Sequence, residues 1–535
     1  MTESALNRPL GTETEFGIIQ PGNVYANPVA LSTQVVAAYR DNYRPWEAVT
    51  WDYEGENPLQ DMRGFSLSPR EADPSQLTSN PEQLAPSGPG IKEIARPSAQ
   101  EAALPKPSAC VLNNGARLYV DHAHPEYSSP ETLEPKQGAL YDAAGDLIAR
   151  RAMQLAAKDG NHIKLFKNNV DGKGAAYGSH ENYLLRRDLD FFELAQNLIP
   201  FLVTRPLICG AGRVGIGQRS QQAGFQISQR ADYVENDIGL ETTFNRPIVN
   251  TRDEPHANAG KWRRLHIIGG DANRFQYSTY LRLGSTAALL WLLENGDSSE
   301  LKALEDLRIT SDPVAETWAV SHDPSLTHRL GTASGELTAL EIQTEILAAI
   351  ARAMQARGGA DEASAELLSD WKRVLDSLAT DRAEAARKVE WVGKFQLFER
   401  MRQRLGCDWA HPKLQALDLQ WAALEPGIFE SLCAAGMVEQ LFTEAEVSQA
   451  VSLPPVGGRS WLRGRAVAKL PQVKKASWES LLLDLGGEKL LRFNLGDPAR
   501  LASDAEIRAL ENGDAAAFAR ALAESGNKEK AAKKF

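Results

Sequence analysis

The segment Asn114-Gly-Ala-Arg-Leu-Tyr-Val-Asp-His-Ala-His-Pro-Glu-Tyr127 alternates polar and apolar side chains through Arg117–Asp121. Successive residues of a strand point to opposite faces, so Arg117, Tyr119 and Asp121 share one face while Leu118 and Val120 look into a core. A strand with one polar and one apolar face suits the wall of an active-site trough. The turn after it adds His122, His124 and Glu126 within five residues. Oxygen-rich ligands of this type suit Mg²⁺ or Mn²⁺, which bridge nucleotide phosphates. His122 and His124 fit equally well as turn residues satisfied by backbone hydrogen bonds.

Three other stretches carry comparable chemistry. In Gly11-Thr-Glu-Thr-Glu-Phe-Gly17, Glu13 and Glu15 fall on one strand face, where two carboxylates repel unless a cation or protons separate them. Edge strands also carry solvated glutamates, so the pair alone fits either reading. Lys167-Asn-Asn-Val-Asp-Gly-Lys-Gly174 has the composition of a phosphate cradle without being a P-loop, and His180, Glu181 and Asn182 follow it as clustered donors and ligands. Thr251-Arg-Asp-Glu-Pro-His256 offers Glu254 and His256 to a metal shell and Arg252 to a phosphate or carboxylate, ahead of Arg263, Arg264 and His266 on a strand. Six of the nine histidines lie between His122 and His266. Residues 162–274 hold 15 Lys and Arg against 12 Asp and Glu in a chain whose net charge is −11, a balance that would draw an anionic substrate or nucleotide into a cleft.

Around these stretches the texture changes along the 535 residues. Ten of the 28 prolines fall between Pro45 and Pro107, where no sustained hydrophobic periodicity appears. That region reads as a functional loop or as a disordered insertion; its aromatic-acidic island, Trp46 to Asp61, argues against an inert linker. From Ala109 to about Ile268, short alternating strands such as Ile163–Phe166 and Gly224–Arg230 mix with helices at Leu140–Ala157 and Phe191–Val203. Without a strict βαβ rhythm, this predicts an antiparallel or mixed sheet with helices on one side. Beyond Gly284 the spacing is helical, over Ala287–Leu293, Leu337–Ala356 and Ala363–Leu405. The charge run Asp381–Lys388 reads there as a solvated helix face. A Pro/Gly hinge at Leu453–Gly458 precedes a small C-terminal piece whose last residues, Asn527–Phe535, read as a frayed basic tail.

The acidic balance argues against a general nucleic-acid binder. No apolar run approaches the ~20 residues of a membrane helix, and the N-terminus shows no signal-peptide core. Four scattered cysteines predict neither a disulfide framework nor a Cys-rich zinc site, in keeping with a reducing cytoplasm.

Taken together, Gly11–Phe16, Asn114–Glu131, Lys167–Tyr183, Cys209–Gly217, Ala223–Tyr233, Asn250–Asn273 and Arg459–Leu483 resemble the family of Pup ligases and Pup deamidase/depupylases, relatives of glutamine synthetase. The form Asp-His-Ala-His-Pro-Glu-Tyr-Ser at Asp121–Ser128 resembles the deamidase/depupylase branch, since the ligase has one more residue between Asp and Glu. The long insertion near 44–107 points the same way, as a mobile loop that the ligase lacks. Glu13-Thr-Glu-Phe-Gly17 is instead similar to the ligase branch, a departure that leaves both carboxylates in place.

The resemblance implies an α+β fold: a glutamine-synthetase-like, curved, mostly antiparallel sheet packed by helices. It implies a catalytic domain over 1–455, with the insertion at about 44–107 and a helical section at 285–450, and a small domain over 459–535. It implies Mg²⁺ binding by Glu13, Tyr119 and Glu126, with His180, Glu254 and His256 in the metal and phosphate shell. Glu15, Ser129 and Asn182 would sit near ATP (or ADP with phosphate), and Asp121 would be the catalytic carboxylate, as nucleophile or as base. Arg117, Arg213 and Arg230 would meet phosphate, substrate or the developing oxyanion, and Arg459, Arg463 and Arg465 would reach the nucleotide. The implied activity is ATP- and Mg-dependent deamidation of the C-terminal Gln of Pup, with cleavage of the Pup–lysine isopeptide bond. The implied partners are Pup and pupylated proteins in the cytoplasm, with neither nucleic acid nor membrane. Two rivals stand beside it: an ATP-driven Pup ligase, and a nucleotide-binding regulator with a decayed site.

Overall fold

The computed structural model describes residues 4–44, 46–54, 56, 58–63, 91–95 and 108–532. In chain order, its two larger sheets use β1 (Leu10–Glu15), β2 (Thr50–Trp51), β3 (Ile91–Ala95), β4 (Ala109–Val111), β5 (Arg117–Asp121), β6 (His124–Ser128) and β7 (Ser179–Arg186). They continue with β8 (Asn236–Gly239), β9 (Pro247–Asn250), β10 (Trp262–Ile267), β11 (Val473–Ala476), β12 (Ser480–Leu483) and β13 (Lys489–Asn494). The first sheet has eight strands in the order β8-β9-β10-β7-β1-β6-β5-β4. Neighbours in it are antiparallel except β8 and β9. With long helices packed against it, this is the expected α+β architecture.

Alternation divides the sheet into a core face and a polar face. Leu118 and Tyr127 are buried with Ala144, Ile148 and Ala152 of the helix Pro135–Lys158. Gly145 of that helix sits so close to Tyr127 that a Cβ would come 2.3 Å from a ring carbon, an approach only glycine permits. Leu10, Tyr183, Leu185, Leu265 and Ile267 join Leu281, Leu283 and Leu289 of the helix Gln276–Asn295 in a second core. Each large apolar side chain buried here contributes about 1.5–3 kcal/mol, which pins which face of every strand turns inward.

The same alternation corrects the grouping of His180, Glu181 and Asn182. Glu181 is fully buried on the core face, where Arg205 donates two hydrogen bonds of 2.8 and 2.9 Å and the Tyr183 hydroxyl one of 2.7 Å. It is a structural ion pair, separated from its neighbours by the pleat.

The second sheet runs β2-β11-β12-β13-β3, so both of its edges come from the 44–107 segment. β2 lies parallel to β11 and β3 antiparallel to β13. Arg492 grips Asp52 with bonds of 2.9 and 3.0 Å, and Trp51 packs edge-on against Trp478 at 4.9 Å. Further along, Thr251 donates to Asp61 at 2.6 Å and its carbonyl accepts from the Met62 amide at 2.7 Å. The expected loop over 44–107 is corrected to this extent: strand pairing holds both of its flanks and a buried ion pair the first, while 64–90 and 96–107 lie outside the described residues.

Three further readings change. Ala363–Leu405 is three helices, Glu362–Leu378, Ala385–Lys388 and Glu390–Leu405, interrupted where Arg382 takes φ 60°. Lys388, read as part of a solvated face, is buried and paired with Asp370 and Glu384, each at 3.0 Å. Of the C-terminal stretch read as frayed, residues 527–532 belong to a helix over Ala515–Ala532, and 533–535 lie outside the described residues. Among the described residues no helix is long and apolar enough to cross a membrane.

The helix Arg459–Lys469 ties the C-terminal piece to the first sheet. Its Arg459 and Arg463, both buried, close on Glu131, with Arg459 Nε at 2.9 Å. Burial alone would raise the Glu131 pKa, but the two guanidiniums outweigh it and hold the carboxyl at about 2. A folded value below the ordinary 4.5 means that the ion pair stabilises the protein fully above pH 4.5. That contribution, about 3 kcal/mol, fades as pH falls from 4.5 toward 2. Glu131→Gln is therefore expected to lower stability by about 3 kcal/mol at pH 7, with a deficit roughly half as large at pH 3. Thermal unfolding of both proteins at the two pH values checks this; an equal deficit at both would refute it.

Candidate active site

The register of β1 assembles the polar face. Glu13 lies opposite Ser128 on β6 and His180 on β7, and Glu15 lies opposite Glu126. Across the β5–β6 hairpin Tyr119 faces Glu126 and Arg117 faces Ser128. Across β7 and β10, Asn182 lies opposite His266. Directly opposed residues share a sheet face, so groups from five strands converge on one surface.

Two clusters of metal-binding donors result. Glu13, His180 and His266 each place one ligand atom within 4.8 Å of the others, and so do Glu15, Asp121 and Glu126. In the first, His180 Nδ1 lies 3.1 Å and His266 Nε2 3.7 Å from Glu13 Oε2, while Asn182 donates to Glu13 Oε1 at 2.9 Å. In the second, Tyr119 donates to Glu126 at 2.5 Å and Ser128 to the same oxygen at 3.1 Å. Glu15 accepts from the Gly178 amide at 3.0 Å and lies 3.1 Å from His124 Nδ1. A Cβ at Gly178 would come 2.4 Å from His180 Nε2, so a glycine is required where the chain passes between these ligands.

The electrostatics separate the carboxylates. Burial opposes ionisation of Glu13, yet His180 and His266 beside it hold its pKa well below the usual range. Burial raises Glu126 well above that range, and the charges of Asp121, Glu13 and Glu15 raise it further. Burial would also raise Asp121, but its contact with His122, at 3.0 Å, leaves it lowered. Three carboxylates sharing a small site, one of them pushed toward protonation, form an electrostatic deficit that a divalent cation relieves. The buried ring of His266 sharpens the point: neither of its nitrogens has a hydrogen-bond partner among the described residues, and burial pushes its pKa down to about 3, keeping it a neutral donor. The residues present therefore fit a divalent metal.

An anion-binding flank adjoins these donors. Arg264 donates to Asn182 at 2.9 Å, leaving its Nε and Nη2 without hydrogen-bond partners. A cleft runs from there past Glu13, Ser129, His256 and Arg459 to Trp478. Ser129 lines it and fixes the β1 edge, accepting from the Thr12 amide at 2.9 Å. Arg117 is stacked between the rings of Tyr119, at 3.8 Å, and Trp51, at 4.3 Å.

Several sequence expectations fall elsewhere. Glu254 is bound by Arg252 at 2.9 Å and lies 3.6 Å from Arg264, outside both donor clusters. His256 lines the cleft, with its carbonyl accepting from Arg459, and is likewise outside them. Arg463 donates to Glu131 and to the carbonyls of Gly115 and Trp478, which makes it part of the fold rather than an open nucleotide contact. Arg213 is buried against Asp232 and the carbonyls of Gly215 and Gly217. Arg230 donates to the carbonyls of Tyr177 and Ile268. Lys167, of the supposed phosphate cradle, is buried between Asp142 at 2.7 Å and Asp146 at 2.9 Å. The donor that sequence reasoning left unassigned is His266; its place two residues after Arg264 on an alternating strand was the available signal.

Comparison with known proteins adds to this geometry. The family model described as Pup-ligase protein matches residues 8–482. A depupylase of Acidothermus cellulolyticus is 44% identical over 92% of this chain and 95% of its own length. A Pup deamidase/depupylase of Mycobacterium tuberculosis is 41% identical over 94% of this chain and 96% of its own. Among solved structures, the Pup ligase PafA in complex with Pup superposes with TM-score 0.73 at 28% identity, covering 95% of this chain and 93% of that one. PafA in complex with ADP superposes with TM-score 0.68 at 32% identity, covering 77% and 90%.

Proposed function

Because the chain belongs to the Pup-ligase protein family, we propose that it is a Pup deamidase and depupylase. It hydrolyses the side-chain amide of the C-terminal Gln of Pup to Glu and cuts the isopeptide bond between Pup and a substrate lysine, in the cytoplasm, with ATP and Mg²⁺ bound. The observation that carries this reading is the convergence of Glu13, Glu15, Tyr119, Asp121, Glu126, His180 and His266 on one sheet face beside a cleft lined by Arg264 and Arg459. Near-full-length similarity to depupylases favours hydrolysis over ligation.

Glu13, His180 and His266 would hold one cation, and Glu15 and Glu126, with the Tyr119 hydroxyl, a second. Bound Mg²⁺ would supply the positive charge that neutralises these carboxylates and the nucleotide phosphates and would stabilise a developing oxyanion. Arg264 and Ser129 would position the phosphates. Asp121, ionised and partly exposed at the end of β5, is the group that attacks the carbonyl carbon or takes a proton from the water that does. Either way one water is consumed, the C–N bond breaks, and ammonia or the lysine amine leaves with the proton. Mass spectrometry of acid-quenched enzyme during turnover distinguishes the two, since only direct attack links Pup covalently to Asp121 as an anhydride.

Amide hydrolysis in water is downhill, so the nucleotide acts as a resident part of the site. With Pup ending in Gln, far less than one ADP is expected per Pup deamidated, and EDTA is expected to stop the reaction. One ADP per product, or Pup–lysine ligation without deamidation, would favour the ligase reading instead.

A further inference from the structure

Asp121 ends β5 and His124 begins β6, so His122 and Ala123 alone form the hairpin tip beside the candidate nucleophile. His122 takes φ 49°, a left-handed conformation that few residues adopt apart from Gly, Asn, Asp and His. The loop is pinned there, because Ser32 of the helix Pro28–Arg40 donates to the Ala123 carbonyl at 2.8 Å. In this conformation His122 Nδ1 lies 3.0 Å from Asp121 Oδ2. An ionised carboxylate only accepts, so that nitrogen carries the proton.

Asp121 needs such a partner. Its side chain is 36% exposed, and it shares a cluster with the carboxyls of Glu15 and Glu126, which offer it no donor when ionised. A strand-end carboxylate without a fixed donor would sample several rotamers, and most would aim away from the substrate. We propose that His122 is a positioning residue: the left-handed tip of the β5–β6 hairpin turns its Nδ1–H onto Asp121 Oδ2 and leaves Oδ1 for the reacting amide. The inference rests on the hydrolase reading above and adds a specific device to it. The two-residue loop itself calls for a positive φ at its first residue, and that backbone carries the His122 ring beside Asp121.

Two substitutions separate the hydrogen bond from the backbone. His122→Gly keeps the left-handed turn and removes the donor. His122→Asn also tolerates that turn and restores an N–H donor. Deamidation of Pup ending in Gln is measured for wild type and both variants at saturating ATP and Mg²⁺, together with KM, ADP affinity and Tm. His122→Gly is expected to lower kcat about 10–100-fold, with KM, ADP affinity and Tm unchanged, and His122→Asn to recover to within about threefold of wild type. The proposal is overturned if kcat of His122→Gly does not fall, if it falls together with ADP affinity or Tm, or if His122→Asn is as slow as His122→Gly. An inactive wild type would instead refute the hydrolase reading, so the two failures are told apart.

Discussion

Asp121→Asn is expected to lower deamidation and isopeptide cleavage by about 10³-fold while leaving ADP affinity within about threefold of wild type. The amide is nearly isosteric and keeps an acceptor oxygen, but it neither attacks a carbonyl nor takes a proton from water. Its oxygen still meets His122 Nδ1 at the hairpin tip, so the loop stays folded. Glu13, His180 and His266 form a separate cluster, which is why nucleotide and metal should still bind. Single-turnover kinetics with Pup ending in Gln, paired with calorimetric ADP titration, measure both quantities. Turnover near wild type would remove Asp121 from the chemistry, and loss of ADP binding would make it part of the metal site instead.

Replacing Glu13 by Gln is expected to weaken Mg²⁺ binding by at least about 100-fold, since losing a direct ligand exceeds the ~10–100-fold effect of losing a supporting partner. Glu13 is the one carboxylate held by two imidazoles and an amide, and its charge keeps that cluster attractive to a cation. Turnover and the Mg²⁺-dependent rise in Tm with ADP should be lost together. The reaction has a pH signature through Glu126, which burial and then the Asp121, Glu13 and Glu15 charges push toward protonation. A cation must displace that proton, so Mg²⁺ affinity rises with pH and binding releases a proton, measurable by calorimetry in buffers of different ionisation enthalpy. A wild-type Mg²⁺ affinity independent of pH between 5 and 8 would count against Glu126 as a ligand, and an unaltered affinity in the Glu13→Gln protein would count against Glu13.

Much of the site was legible because strands impose a period of two. Arg117, Tyr119 and Asp121 were assigned to one face from spacing alone, and Glu13 and Glu15 likewise; the register of β1 against β6 and β7 agrees. The same rule, applied one residue further, would have sent Glu181 to the core and brought His266 to the face. The arginines were misread for a different reason. A guanidinium that binds phosphate and one that braces a buried glutamate look alike in a sequence, because the same planar fork serves both. Only burial and partners separate Arg264, which lines the cleft, from Arg463 and Arg213, which are fully buried against Glu131 and Asp232.

Local covalent order thus determined which side chains stand together on each strand, where helices begin, and that acidic and imidazole groups are concentrated on a few stretches. It did not determine which strands become neighbours. Bringing Glu13 beside His266, more than two hundred residues away, or running both flanks of the 44–107 segment into a sheet with the C-terminal strands, depends on long-range pairing and on the burial of Tyr127, Tyr183 and Leu265 beneath the helices. Such contacts are selected by the free energy of the whole packed core, which no single segment encodes.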